Sequence, residues 1–242
     1  KWSRTEVGTP QGSVASPLLA NVYLHYVLDL WVQWWRKHCS KGDMIIVRYA
    51  DDFVMGFQHR YEAEQFLKEL RERMQKFGLA LHPEKTCLFE FGRFAAENRK
   101  RQGQGKPETF DFLGMTHMCG HKQQSKGFIA KRKTSAKRLG RAIKEVKETL
   151  MRCRHAPVAQ QGVWLGRVVR GYFNYHAIPG NVDALETFRR EVVRGWLHAL
   201  RRRSQRHRLT WARFGKFVDI WLPKPKIQHP YPNVRFFAKH PR

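Results

Sequence analysis

The sequence has few acidic residues and few cysteines, and its cysteines form no closely spaced pair. Only 20 of its 242 residues are Asp or Glu, against 46 Lys and Arg, so the formal net charge is +26. The cysteines lie far apart, at positions 39, 87, 119 and 153. This spacing argues against a zinc ribbon and against a disulfide scaffold, and it favours a reducing compartment.

Residues 14–35 form a long, nearly uncharged stretch, so a membrane span must be considered. Asn21, His25, Asp29 and Gln33 recur every four residues. On a helix they form one polar stripe on an otherwise apolar surface. The pattern therefore predicts a helix packed within the protein, with one edge against something polar, and no membrane anchor.

The positive charge is concentrated in the second half of the chain. Residues 126–242 contain 28 Lys and Arg against 6 Asp and Glu, whereas residues 1–125 contain 18 against 14. Hydrophobic residues make up 42% of the sequence, which is enough for a core. We expect the second half to lie against a polyanion, and both nucleic acid and an anionic membrane fit that charge.

Two short apolar runs, residues 44–47 and 53–57, flank the sequence Tyr49-Ala50-Asp51-Asp52. Their β-branched and aromatic residues predict the strands of a β-hairpin with the acidic pair at its tip. Two neighbouring carboxylates favour a bound cation, and Mg²⁺ prefers such oxygen ligands. Ordinary turn chemistry is the alternative for an isolated Asp-Asp pair.

Further elements are predicted from periodicity and turn residues. A helix is expected over 61–77, ended by Gly78, and a strand-like run follows at 79–81. Hairpin, helix and strand make half of a split β-α-β sheet. Residues 93–108 are charged and rich in glycine, which predicts a solvated loop. Residues 110–114 are predicted to form a short strand and a turn.

The apolar periodicity of the second half predicts a series of amphipathic helices. They cover about 134–153 and 162–176, and two more begin at Asp183 and Thr210. Glu186 completes a capping-box pattern with Asp183. Pro223 ends the last helix, and the tail after it is rich in proline.

Four motifs follow one another in the order found in reverse transcriptases. They lie at residues 8–12 (GTPQG), 49–52 (YADD), 81–86 (LHPEKT) and 110–114 (FDFLG). The basic helical half contains GYFNYH at 171–176 and is followed by a closing segment at 229–236. This half resembles the thumb, or domain X, of one family of reverse transcriptases, the group II intron-encoded reverse transcriptase/maturases. The resemblance to this family covers essentially the whole chain.

This resemblance implies an α+β fold in three parts. Residues 1–125 would form a partial reverse transcriptase palm with an RRM-like split β-α-β sheet. Residues 126–222 would form an all-α thumb or maturase bundle, and residues 223–242 a Pro-rich tail. The implied activity is RNA-directed DNA polymerisation combined with intron maturation, in a bacterial cytoplasm. The implied partners are an RNA template with a DNA primer, dNTPs and group II intron RNA, without a membrane.

The resemblance also assigns roles to residues of the first part. Asp51 and Asp52 would be ligands of two Mg²⁺ ions, which activate the primer 3′-hydroxyl and stabilise the leaving pyrophosphate. Lys85 matches a lysine proposed as the general acid for the pyrophosphate. Positions that border the incoming nucleotide and template are matched by Gln11, Gly12, Tyr49 and Ala50. The primer-grip segment is matched by Phe112, Leu113 and Gly114.

Arginines on the third helix of the second half and directly after it are predicted to contact phosphates of structured RNA. A solvated basic face is the alternative. The predicted contact residues are Arg189, Arg190, Arg194, Arg201, Arg202, Arg203, Arg206 and Arg208.

The match is incomplete at its start. In the family that the chain resembles, a third metal-binding carboxylate and the fingers region precede the motif at 8–12, and this sequence starts at Lys1. We therefore expect that the 242 residues alone do not polymerise, and that the third carboxylate is supplied upstream. DNA cleavage is not expected. Two alternatives remain, a non-catalytic RNA-binding splicing cofactor and an inactive remnant of a mobile element.

Overall fold

The computed structural model describes residues 15–122, 127–204, 209–232 and 234. The predicted α+β class is confirmed, because small antiparallel sheets alternate with helices along the chain. The chain divides into two compact units, Lys1–Phe91 and Gly92–Arg242. The boundaries at 125 and 222 concern the domains of the family that the chain resembles, and they remain predictions.

The described part of unit 1 (Lys1–Phe91) consists of helices and one hairpin. Its elements are α1 (Ser16–Leu24), a π-helical turn (His25–Asp29), α2 (Leu30–His38), β1 (Met44–Tyr49), β2 (Asp52–Phe57) and α3 (Arg60–Lys76). The predicted helices over 14–35 and 61–77 and the predicted hairpin are confirmed, apart from residue 14, which lies outside the described residues. The π-helical turn inside the first helix was not predicted.

The predicted strand at residues 79–81 is wrong. The amide of Gly78 donates to the carbonyl of Gln75 at 3.1 Å, and the amide of Leu79 donates to that of Met74 at 2.9 Å. These two bonds form a Schellman motif, with Gly78 at φ +68°, so the segment ends α3 and does not pair with β1 or β2. Leu79 and Leu81 still pack against the apolar core of the unit.

The core of unit 1 lies between α2, α3 and the inner face of the hairpin. Trp35 and Phe66 are fully buried and meet edge to face, with ring centroids 5.0 Å apart. The indole Nε1 of Trp35 donates to a carboxylate oxygen of Glu69 at 2.8 Å, so its polar atom is satisfied. The opposite face of β1 is open, since Ile45, Val47 and Tyr49 are all more than half exposed.

Unit 2 (Gly92–Arg242) combines a three-stranded sheet with a helical bundle. Its elements are α4 (Ala95–Arg101), β3 (Phe110–Phe112), β4 (Met115–His121), β5 (Phe128–Thr134), α5 (Ala136–Arg152), α6 (Val158–His176), α7 (Val182–Arg201) and α8 (Trp211–Trp221). The strands form an antiparallel meander in the order β3-β4-β5. The predicted strand, turn and helices are confirmed, whereas α4 replaces part of the predicted loop and β4 and β5 were not predicted.

Helices α5 to α8 share one apolar core, whose largest fully buried side chains are Trp196, Phe173, Phe188 and Phe214. The end of α8 lies very close to α6. A Cβ added to Gly166 would stand 2.7 Å from the carbonyl oxygen of Trp221. The absent side chain at this position therefore permits the close helix contact.

The predicted capping box at the start of α7 is wrong. The helix begins at Val182, so Asp183 already lies in its first turn, and the N-cap residue is Asn181. The side chain of Asn181 makes no capping bond, because it is engaged by β5 and α6, as described below.

No helix within the described ranges combines the length and the apolar character needed to cross a membrane.

Candidate functional site

The acidic pair lies at the tip of the β1–β2 hairpin, as predicted. Tyr49 pairs with Asp52, so Ala50 and Asp51 form a two-residue turn. Ala50 has φ +54°, a conformation that costs energy for a residue with a side chain. Tyr49, Ala50, Asp51 and Asp52 are all exposed, so both carboxylates are open to a ligand from solvent.

Arg48 links this turn to the first helical segment. Its Nε and Nη2 atoms donate to the two carboxylate oxygens of Asp29 at 2.7 and 2.6 Å. Its Nη1 atom donates to the side-chain oxygen of Asn21 at 3.0 Å and to the carbonyl of Ala50 at 2.8 Å. One guanidinium therefore joins α1, the π-helical turn and the strained tip, using the planar fork that only arginine offers.

The π-helical turn presents Asp29, the bidentate partner of Arg48. Asp29 ends this turn, and its carboxylate also lies 3.5 Å from Nδ1 of His25. The hydrogen bond from Arg48 lowers the pKa of Asp29 despite partial burial, so the pair is charged at neutral pH. The carbonyl of Val27, within the same turn, accepts a bond from Nε of Arg73 at 2.7 Å. Asn21, His25 and Asp29 are members of the polar stripe seen in the sequence, and Arg48 is the polar group that two of them bind.

Arg48 was missed as a functional residue by the sequence reasoning. Its position directly before the acidic motif is visible in the sequence, but its bidentate partner lies 19 residues earlier. Only the polar stripe indicated that α1 faces a polar group.

Asp51 and Asp52 could hold a divalent cation. In the described part of the chain their carboxylates make no hydrogen bond or ion pair with another side chain, and they are hard oxygen donors of the kind that Mg²⁺ prefers. No group of three or more metal-ligand side chains is found among the described residues. The hairpin tip therefore offers two candidate ligands, fewer than a two-ion site requires.

Lys85, which is also predicted for nucleotide chemistry, lies outside the hairpin. Lys85 is exposed on a turn after α3, where its amide donates to the carbonyl of His82 at 3.3 Å. Within the described ranges, no hydrogen bond or ion pair joins Lys85 to Asp51 or Asp52. Gln11 and Gly12 lie outside the described residues.

The predicted primer-grip segment forms the β3–β4 turn of unit 2. Phe112 pairs with Met115, so Leu113 and Gly114 are the turn residues, with φ +50° and +75°. The hydroxyl of Tyr175 donates to the carbonyl of Leu113 at 2.7 Å, and the amide of Ser135 donates to that of Gly114 at 3.0 Å. Both carbonyls of the strained turn are thus held by the start of α5 and by α6.

A buried polar cluster lies beside this turn. The side chain of Asn181 donates to Thr134 Oγ1 and to the carbonyl of His176, both at 2.8 Å, and accepts from the Thr134 amide at 2.9 Å. Nδ1 of His176 lies 3.3 Å from Thr134 Oγ1. Burial, with a smaller contribution from the positive charge of Arg138, lowers the pKa of His176 to about 4. The cluster joins the ends of β5 and α6 to the start of α7, which gives the motif at 171–176 a structural role.

The basic residues of α7 divide into two groups. Arg189 donates from Nε to the carbonyl of Pro223 at 3.0 Å and so holds the segment that follows α8. Arg190 and Arg194 are exposed, and among the described residues their side chains bond locally, to Thr187 at 3.2 Å and to Glu191 at 3.1 Å. These two arginines are therefore available to an external anion.

The arginines at the end of α7 show the same division. Arg203 is half-buried and donates to the carbonyl of Ala156. Arg201 donates to the carbonyl of Leu209 at 3.1 Å, and Arg202 is exposed. Arg206 and Arg208 lie outside the described residues. Arg203 thus has a structural role in addition to its charge.

Residues 1–117 match the family model described as "Reverse transcriptase (RNA-dependent DNA polymerase)". A search of curated proteins finds no match. The match includes all of unit 1 and the β3–β4 turn, so it covers the acidic hairpin and the predicted primer-grip segment but not the helical bundle.

Proposed function

We propose that this chain contributes part of the palm and the thumb of an RNA-directed DNA polymerase that also acts as a group II intron maturase. One observation carries this proposal. The two open carboxylates of Asp51 and Asp52 stand on a strained hairpin turn that Arg48 holds in place, within a segment that matches the reverse transcriptase family. Strained turns held by surrounding contacts are typical of functional sites.

The chemistry assigned to each residue follows from its position. Asp51 and Asp52 would hold Mg²⁺, which supplies the positive charge that activates a primer hydroxyl and stabilises the pyrophosphate. Tyr49 and Ala50 would border the nucleotide and template beside the carboxylates. Lys85 would donate a proton to the pyrophosphate, which requires its exposed side chain to approach the triphosphate.

The primer would lie on the β3–β4 turn. Phe112, Leu113 and Gly114 would present backbone to the primer strand, and Tyr175 would fix that backbone through the Leu113 carbonyl. The described residues bring only two carboxylates to the hairpin tip, so we propose that a further carboxylate is required for polymerisation.

Binding of structured intron RNA is proposed for unit 2. Its exposed cations on α7 and the large excess of basic residues over 126–242 support this. A non-catalytic splicing cofactor is the second candidate function. It would need this basic surface but would have no use for an open Asp51-Asp52 pair.

Primer extension tests the polymerase proposal. The protein expressed from the natural reading frame that encodes this chain is expected to extend a DNA primer on an RNA template in Mg²⁺. Asp51→Asn is expected to abolish extension, whereas Asp43→Asn, which changes an exposed carboxylate before β1, is expected to leave it unchanged. Extension that survives Asp51→Asn would refute the assigned site.

RNA binding and splicing test the maturase proposal. The affinity for a group II intron RNA is expected to fall with salt, with a log–log slope of about −0.7 to −0.9 for each neutralised phosphate. Addition of the protein is expected to accelerate splicing of that intron at low Mg²⁺. Binding without any effect on splicing would leave only the RNA-binding part of the proposal, and a flat salt dependence would contradict phosphate contact.

A further inference from the structure

A groove of about 550 Å³ lies in unit 2 between α7, the first residue of α8 and the segment that follows α8. Arg190 and Arg194 line it from α7, Trp211 from α8 and Lys224 from the following segment. Glu186 is an acidic side chain in its lining. Its volume is in the range of known ligand sites.

The wall that carries Lys224 is held in place. Arg189 donates to the carbonyl of Pro223 at 3.0 Å, directly before Lys224. Leu222 is buried in the core of the unit. The groove is therefore bounded by fixed backbone on this side, and its shape does not depend on a freely moving tail.

Trp211 presents an aromatic surface to the groove. It is the first residue of α8, directly after the N-cap Thr210. Its ring meets that of Phe214 edge to face, with centroids 5.9 Å apart. Despite this contact, 53% of the residue is exposed. The indole is thus anchored by Phe214 and still exposes much of its surface to solvent.

An open indole among cations matches one class of ligand. Nucleic acid bases stack on exposed aromatic rings, and phosphates bind guanidinium and ammonium groups. In a continuous duplex the faces of each base are covered by its neighbours, so only an unpaired nucleotide can stack in this way. A carboxylate such as that of Glu186 can accept a hydrogen bond from a base amino group, whereas it would repel a ligand that consists only of acidic groups.

We propose that this groove binds one unpaired nucleotide of structured RNA, with its base on Trp211 and its flanking phosphates on Arg190, Arg194 and Lys224. The proposal rests on the RNA binding proposed above and adds a subsite to it. It predicts that unit 2 distinguishes RNA with an exposed base from fully paired RNA.

The test compares two RNAs with the full chain at one fixed salt concentration. One is a stem with an unpaired internal loop, the other the same stem fully paired, and fluorescence anisotropy gives both affinities. Trp211→Ala is expected to weaken binding of the looped RNA about tenfold, as expected for loss of one stacked base, and to change binding of the paired RNA less than twofold. Ile220→Ala, which truncates an exposed side chain on the same helix, is the matched control and is expected to have no effect.

Two further variants of Trp211 separate stacking from packing. Trp211→Phe keeps an aromatic face and is expected to retain most of the affinity, whereas Trp211→Leu keeps apolar bulk and is expected to bind as weakly as Trp211→Ala. Arg190→Ala combined with Arg194→Ala is expected to weaken binding of both RNAs, because phosphate contact does not depend on pairing. Equal affinities of the Phe and Leu variants would contradict stacking, whether or not the Ala variant folds.

Each other outcome has one meaning. If the unchanged chain binds both RNAs and no Trp211 variant alters either affinity, the subsite is refuted and the proposed RNA binding stands. If the unchanged chain binds a group II intron RNA but neither stem, the subsite is refuted and the proposed RNA binding stands; if it binds none of the three, both proposals fail. If a poly-Glu peptide binds more tightly than the looped RNA and depends on Trp211, the groove is a site for acidic peptide.

Discussion

Replacement of Arg48 tests whether one side chain holds the acidic hairpin tip. Arg48→Ala removes two charge-assisted bonds to Asp29 and the bonds to Asn21 and to the Ala50 carbonyl. The carboxylate of Asp29 then remains in a partly buried place without its cation. The strained turn at Ala50 also loses the donor that holds its carbonyl.

The expected loss follows from the burial of the pair. The side chains of Arg48 and Asp29 are 15% and 25% exposed. Removal of one partner of a fully buried pair costs about 3 to 5 kcal/mol, and partial solvent screening reduces this to about 2 to 3 kcal/mol here. Arg48→Lys keeps the charge but cannot bind both carboxylate oxygens and the turn together, so it is expected to lose less than Arg48→Ala but still measurably.

Hydrogen exchange of the backbone amides in β1 and β2, followed by mass spectrometry at increasing urea, measures this local stability within the full chain. Arg60→Ala is the matched control, since Arg60 forms an exposed ion pair with Glu64 on α3, and such pairs contribute little. A double-mutant cycle with Asp29→Ala gives the coupling energy of the buried pair. Equal protection of the hairpin amides in Arg48→Ala and Arg60→Ala would show that Arg48 does not hold the hairpin tip.

Three further predictions concern unit 2. Gly166→Ala is expected to destabilise unit 2, because the new Cβ would stand 2.7 Å from a carbonyl oxygen at the end of α8. Gly171→Ala places its Cβ in open space on the same helix and is expected to stabilise the unit by up to about 1 kcal/mol. Equal effects of the two variants in thermal unfolding would contradict the close helix contact. The pKa of His176 is about 4 in the folded state, below its unfolded value of about 6.5. Between these two pH values the unfolded state therefore binds more protons than the folded state. The free energy of unfolding is expected to fall as the pH falls through that window, by up to about 3 kcal/mol. Urea unfolding across this range should show a flatter dependence for His176→Gln, and an unchanged slope would count against the assignment. Tyr175→Phe removes the hydrogen bond to the Leu113 carbonyl and is expected to destabilise the β3–β4 turn by about 1 kcal/mol. Hydrogen exchange should then show faster exchange of the amides in this turn. No change in exchange there would mean that this bond does not hold the turn.

Much of the fold was predictable from local patterns. The hairpin followed from two apolar runs around a polar tip, and the helices of unit 2 followed from their apolar periodicity. The Schellman motif after α3 shows the limit of that approach. Gly78 correctly predicted the helix end, but the apolar run after it continues the cap and packs on the core instead of forming a strand.

The strands β4 and β5 were missed for a compositional reason. β4 contains two His, a Gly and a Cys but few β-branched residues, and β5 carries three consecutive basic residues, Lys131, Arg132 and Lys133. Strands of this kind are determined by pairing with their neighbours, and a single sequence carries little signal for that.

The site was predictable only in part. The acidic pair, its place at a tip and the β3–β4 turn came from motif residues. The residues that hold those turns, Arg48 and Tyr175, act through contacts that span 19 and 62 residues along the chain, and no local pattern encodes such partners. The groove at Trp211 likewise depends on α7, α8 and the following segment meeting in space.

Metal-directed cleavage tests whether the hairpin tip is a divalent-cation site. Fe²⁺ replaces Mg²⁺ at oxygen-ligand sites, and with ascorbate and peroxide it cuts the backbone near the ion. The protein expressed from the natural reading frame that encodes this chain, mixed with a primer–template duplex and a dNTP, is expected to be cut close to residues 50–53. Excess Mg²⁺ and Asp51→Asn should both suppress that cut, while Asp43→Asn should leave it in place. Cleavage confined to other regions, or a cut at the tip that persists in Asp51→Asn, would contradict cation binding by Asp51.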